Sequence, residues 1–260
     1  CASHDGKKIP ITVTYHKKTK LDGSANLLLY GYGSYGSSMF PNFSTSKFSL
    51  IDRNIIWATC HIRGGLERGM AWWREGKMLN KKNTFLDFIS CGKFLIEKKY
   101  TSEKKMIAFG GSAGGLLVSN VVNQEPNIFL GAIMAVPFVD NLTTNMDHSL
   151  PLTLGELLEF GDAKNNKEHF EYIRSYAPYD NIKKKNYPHI LITTSLSDSR
   201  VLFDEPTKYC AKLRDYKTDN NLLLFKCEMD AGHGSRSGRK NVIEDVAFDY
   251  AFALKISGKL

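Results

Sequence analysis

Seven short apolar runs recur along the chain and alternate with longer helical patterns. That alternation predicts an α/β fold, a mostly parallel sheet with helices on both faces. The expected strands are Ile9 to Tyr15, Asn26 to Tyr30, Ile55 to His61, Met106 to Phe109, Gly131 to Val136, Ile190 to Thr194 and Leu222 to Cys227. The clearest helices are Thr84 to Lys99, Gly114 to Asn123, Asp204 to Asp215 and Asn241 to Lys255, each with apolar residues three and four apart. Residues 140 to 187 hold no strand and are rich in Asn, Asp and Lys, so they read as a cap or insertion over the sheet. The 260 residues suit one α/β domain over 1–260. The chain begins at Cys1 in strand-like sequence, which reads as a fragment or processed product.

Charge and cysteine usage narrow the partners. A net charge of +8 would suit nucleic acid if the basic residues formed a stripe with interleaved aromatics. They lie instead in short polar clusters such as Lys81-Lys82 and Lys183 to Lys185, a solvated surface, and no nucleic-acid partner is expected. The longest apolar runs fall well short of the roughly 20 residues needed to span a bilayer, so no membrane partner is expected either. The five cysteines are odd in number and contain no C-x-x-C pair, which predicts neither a metal site nor a disulfide framework and fits a reducing, cytoplasmic compartment.

Two glycine-rich motifs imply different chemistries. Gly31 to Gly36 is a literal G-x-G-x-x-G after a strand, with Asp52 further on where a dinucleotide fold would want an acid. A pyrophosphate site needs the third glycine in a helix, however, and the segment from Ser37 to Ser44, with Pro41 inside it, is not helical sequence. Asp52 also precedes the next strand instead of ending it. The second motif, Gly110 to Gly114, is G-x-S-x-G between a buried strand and a helix, the context of a nucleophile elbow. Ser112 would then be the nucleophile, with Gly110 and Gly114 giving it room, and the backbone N–H of Ala113 would face a developing oxyanion.

A serine needs a base and an orienting acid, in the α/β-hydrolase order Ser, Asp, His. Asp198 follows the strand Ile190 to Thr194 and is the candidate acid. His233 sits between two glycines after the next strand and is the candidate base. Of the other histidines, His4, His16, His148 and His169 read as surface residues and His61 as structural.

These segments, LYGYGSYG (29–36), HIRGG (61–65), NTFLDF (83–88), GSAGGLL (111–117), VPFVD (136–140), PLTLGE (151–156), YAPYDN (176–181) and GHG (232–234), resemble the prolyl oligopeptidase family of serine peptidases, and within it the oligopeptidase B branch. The resemblance implies an α/β-hydrolase domain that follows a β-propeller in family members, so this chain would be the catalytic part of a longer protein. It implies no cofactor, and short basic peptides as substrates. Ser112, Asp198 and His233 match the triad, Tyr32 joins Ala113 in the oxyanion hole, and Arg200 matches an arginine that holds the substrate backbone. Phe138 and Glu156 match residues of a pocket for a basic P1 side chain, with Glu159 as a second source of charge. Leu158 stands where a second pocket glutamate is expected, and Leu66 replaces a glycine usual after Arg63-Gly64-Gly65. A prolyl or acylaminoacyl peptidase, an esterase, and a non-catalytic binding domain on this fold stay open as alternatives.

Overall fold

The computed structural model describes residues 1–234 and 236–260. Among these, seven strands form one sheet: β1 (Ile11–Thr14), β2 (Asn26–Tyr30), β3 (Ile55–Cys60), β4 (Met106–Gly111), β5 (Phe129–Ala135), β6 (His189–Ser195) and β7 (Leu223–Glu228). Their order is β1-β3-β2-β4-β5-β6-β7, with β1 antiparallel to β3 and every other neighbouring pair parallel. The described helices are α1 (Phe48–Ile51), α2 (Met70–Arg74), α3 (Lys82–Glu97), α4 (Ala113–Gln124), α5 (Asn141–Met146), α6 (Thr153–Phe160), α7 (Lys167–Arg174), α8 (Asp204–Tyr216) and α9 (Arg239–Ile256).

Successive residues of a strand point to opposite faces, and a parallel sheet buries both. In β2 this is direct. Leu27 and Leu29 join the large core shared with Phe85 and Phe88 of α3 and with Leu117 and Val121 of α4. Leu28 between them joins Trp57 and, from α9, Tyr250 and Leu254. Farther along the same face, Ile107, Ile133 and Leu191 meet Phe252 and Ala253 of α9. Helices therefore cover both faces, as the sequence pattern requires.

The differences from the expected elements have local causes. Strand β4 runs two residues beyond Phe109, because Gly110 and Gly111 stay in register with Met134 and Ala135 of β5. That extension delivers the chain to Ser112 in a fixed direction. Residues 140–187, expected as a strandless insertion, hold α5, α6 and α7. Asn145 ties them together, donating to the Gly161 carbonyl and accepting from the Ala163 N–H.

Candidate active site

The parallel strands all end on one side of the sheet, and the loops that leave them there carry the singled-out residues. Ser112 lies between β4 and α4 with φ 57° and ψ −121°, a left-handed conformation that a side chain adopts only under constraint. Hydrogen bonds supply that constraint. Its N–H donates to the Ala135 carbonyl (2.8 Å), and its own carbonyl accepts from Gly115 (2.8 Å) and Phe138 (3.1 Å). A Cβ on Gly110 would collide with the Gly114 carbonyl, so only hydrogen fits at that position. Ala113 opens α4, where the first backbone N–H groups have no partner within the helix.

His233 and Asp198 converge on this serine from the loops after β7 and β6. The His233 Nε2 is 3.0 Å from the Ser112 Oγ, and its Nδ1 is 2.7 Å from the Asp198 Oδ2. The other Asp198 oxygen accepts from the backbone N–H groups of Arg200 (2.9 Å) and Val201 (3.0 Å). Burial by itself would raise the pKa of this carboxyl, yet the His233 bond and the two N–H donors outweigh it and hold the carboxyl below its usual range. Asp198 is therefore an anion at neutral pH, aimed at one nitrogen of the imidazole. His61, by contrast, is buried against Thr12 (2.8 Å), and burial lowers its pKa, which agrees with a structural role.

A cavity of about 370 Å³ opens beside Ser112, lined by Tyr32, Tyr35, Phe138, Leu152, Gly155, Glu156, Arg200 and Val201. Burial raises the Tyr32 phenol and the nearby Ser112 opposes the rise, so the tyrosine lines the cavity beside the serine as a neutral phenol. Phe138 packs on Phe160 with ring centroids 5.6 Å apart. Glu156 accepts a 3.1 Å hydrogen bond from the Tyr35 hydroxyl. Burial pushes its carboxyl up to about 7, nearby Glu159 adds to the rise, and the Tyr35 bond opposes it.

The structure brings Ser112, Asp198, His233, Tyr32, Phe138, Glu156 and Arg200 together, but it does not bring Glu159 to the cavity wall. Expected as pocket charge, Glu159 is 2% exposed, lies 3.3 Å from the Lys81 Nζ and accepts from the Trp73 indole (2.8 Å). The reason is a long-range partner, since residues three apart on a helix share a face. Three residues on from Glu156, its carboxylate meets a buried ammonium before it can reach the cavity. Leu158 projects outward, 72% exposed, and Leu66 rests against Gly36. Tyr35 was missed in the sequence because it stands at a variable position of the G-x-G-x-x-G run. That run starts no helix, and its loop ends in the site instead. Among the described residues, no group of three or more His, Cys, Asp or Glu is arranged to hold a metal ion, and no helix is long and apolar enough to cross a membrane.

Sheet order, elbow and strand-end loops together define an α/β-hydrolase. Residues 41–260 match the prolyl oligopeptidase family, and the chain belongs to it. Protease 2 of Moraxella lacunata is 49% identical over 249 residues, 96% of this chain and 36% of that protein. Dipeptidyl aminopeptidase BI of Pseudoxanthomonas mexicana is 46% identical over 97% of this chain and 35% of its own length. Oligopeptidase B from Leishmania major superposes with a TM-score of 0.97 at 43% identity, covering 99% of this chain and 36% of that one. Oligopeptidase B from Trypanosoma brucei, with covalently bound antipain, gives 0.95 at 42% identity over the same shares. The chain thus spans about 36% of the length of these relatives.

Proposed function

We propose that this chain is the catalytic part of a serine endopeptidase that cleaves short peptides after Arg or Lys through an acyl-enzyme. One observation carries the reading: the hydrogen-bonded line Asp198–His233–Ser112 ends at a cavity whose wall bears the carboxyl of Glu156. The Ser112 Oγ attacks the scissile carbonyl carbon while its proton passes to the His233 Nε2. Asp198 keeps the other imidazole proton on Nδ1 and stabilises the imidazolium. The negative oxygen of the tetrahedral intermediate is met by the Ala113 N–H and the Tyr32 hydroxyl. His233 then protonates the departing amine, and water attacks the Ser112 ester with His233 again as base. No cofactor enters these steps. Arg200, which lines the cavity, would hold the peptide backbone, and Phe138 would offer a face for a guanidinium to lie on.

The names of the relatives, Protease 2 and oligopeptidase B, support a peptidase. Since they are nearly three times as long, we place the chain, as one catalytic domain, in a longer parent whose remainder includes the family's β-propeller. All five cysteines are free thiols, in keeping with a cytoplasmic setting.

A second reading has one observation in its favour. A Glu156 carboxyl with a pKa of about 7 is protonated in part near neutrality and tolerates an uncharged P1 group beside Phe138, Leu152 and Val201. A panel of matched peptides ending in Arg, Lys, Pro or Ala decides between the two. Strong preference for Arg and Lys supports the basic pocket, and equal cleavage of all four overturns it.

A further inference from the structure

Lys81 lies at the start of α3 with its side chain 1% exposed. Its ammonium has three N–H groups and three acceptors: the Gly33 carbonyl (2.7 Å), the Ser34 hydroxyl (2.6 Å) and the Glu159 carboxylate (3.3 Å). Gly33 and Ser34 directly follow Tyr32, and Glu159 belongs to α6, the helix that carries Glu156. One buried cation therefore joins the loop of the oxyanion tyrosine to the helix of the pocket acid.

We propose that Lys81 is a positioning residue that holds the Tyr32 hydroxyl at Ser112 by fixing the Gly33 carbonyl against α6. The inference rests on the assignment of Tyr32 and Ser112 made above. Stability alone is a poor explanation for the ammonium, because a buried ion pair commonly adds less than an apolar pair of the same volume. Its desolvation is visible as a lowered pKa, which the charge of Glu159 opposes. What such a pair supplies is direction. Gly33 has φ +70° and is wedged between Thr84 and Ile62, while the Gly33 carbonyl fills the space a Cβ on Gly64 would need. These contacts confine the Gly33 Cα, and the direction of its carbonyl is set by Lys81, its charged donor. Without that donor the carbonyl and the Ser34 hydroxyl would turn toward other partners and carry the Tyr32 ring with them. An ångström of drift at an oxyanion donor is enough to cost on the order of a hundredfold in rate.

The test is a double-mutant cycle on hydrolysis of a small uncharged ester, which does not use Glu156. Lys81→Met should lower kcat by roughly 10- to 100-fold with KM unchanged, since the loss falls on the transition state. Because Lys81→Met leaves Glu159 without its cation, Lys81→Met with Glu159→Gln is made as well and should show the same loss in a folded chain. Tyr32→Phe alone should cost a similar factor, and adding Tyr32→Phe to either Lys81 variant should cost almost nothing more. Multiplying losses would mean that Lys81 acts elsewhere, and would overturn the proposal while leaving the oxyanion assignment intact. A Tyr32→Phe chain as fast as the parent would overturn that assignment, and Lys81 with it. Absence of any Ser112-dependent ester turnover would overturn the proposed function itself.

Discussion

Glu156 and Glu159 lie one helical turn apart on α6 and are held in opposite states. Glu159 is locked onto Lys81 and Trp73 beneath the surface, whereas Glu156 stands at the cavity wall with the Tyr35 hydroxyl as its partner. Among the described residues Glu156 has no ion pair, so its charge is available to a guest, and that of Glu159 is not.

Specificity should therefore follow Glu156. A carboxylate about 4 Å from a guanidinium gains on the order of 4 kcal/mol at an effective dielectric near 20, and desolvation removes about half. Glu156→Gln is expected to lower kcat/KM for Arg peptides by roughly 10² with little effect on an uncharged ester. Arg should exceed Lys as P1, because a planar guanidinium pairs bidentately and stacks. Glu159→Gln should lower thermal stability and leave the Arg preference in place. Transfer of the preference loss from the first variant to the second would show that Glu159 supplies the charge.

The same carboxyl makes the preference depend on pH. Its folded pKa of about 7 lies above the ordinary 4.5, so the attracting anion accumulates as pH rises through 7. The ratio of Arg-peptide to neutral-ester turnover should climb by about tenfold between pH 6 and 8 and be flat in Glu156→Gln. The ratio is the proper readout, because titration of the shared machinery cancels in it. For stability the sign is opposite. A raised carboxyl pKa favours the folded state below 4.5, and that contribution is lost as pH rises through 7. Glu156→Gln should thus raise Tm relative to the parent at pH 8 and not at pH 4, as calorimetry would show.

For the nucleophile, a fluorophosphonate should label the chain, and Ser112→Ala should abolish labelling without unfolding it. His233→Ala should abolish turnover as well. Asp198→Asn should cut kcat by about 10⁴ if the imidazole then takes the wrong tautomer. Labelling that survives in Ser112→Ala would place the reactive serine elsewhere.

Gly110→Ala tests the elbow independently of chemistry. The added methyl meets the Gly114 carbonyl and comes within 3.0 Å of Val118, backbone and packed side chain that cannot swing aside. We expect a loss of about 2 to 4 kcal/mol in denaturant unfolding, in the range of overpacked or strained core sites, with loss of labelling. A stable and labelled Gly110→Ala would show that β4 and α4 have more freedom than their contacts imply.

The sheet was legible in the sequence because doubly buried parallel strands write themselves as unbroken apolar runs, such as Leu27 to Leu29 and Ile55 to Ala58. Ser112, Asp198 and His233 could be proposed from the sequence because they follow β4, β6 and β7 in that order, whatever their distance along the chain. The short helices were not. From α1 to α7, all but α3 and α4 have eight residues or fewer, too few turns for a period of 3.6 to emerge. Glu159 was misread for another reason. Its state depends on Lys81, 78 positions away, and no local pattern reports which of two nearby acids will meet a buried cation.

His233, the proposed base, stands 121 residues from Ser112 and 35 from Asp198, in the loop after β7 at one edge of the sheet. A chain emerging from denaturant can form α3, α4 and the central strands and still hold no reactive serine, because His233 arrives only with β7. Closing loops that long is slow compared with coiling a helix. Reactivity toward a serine probe is therefore a clock for the final strand: followed in time, it should lag helical circular dichroism, and the lag measures how long the unfinished sheet waits for its edge.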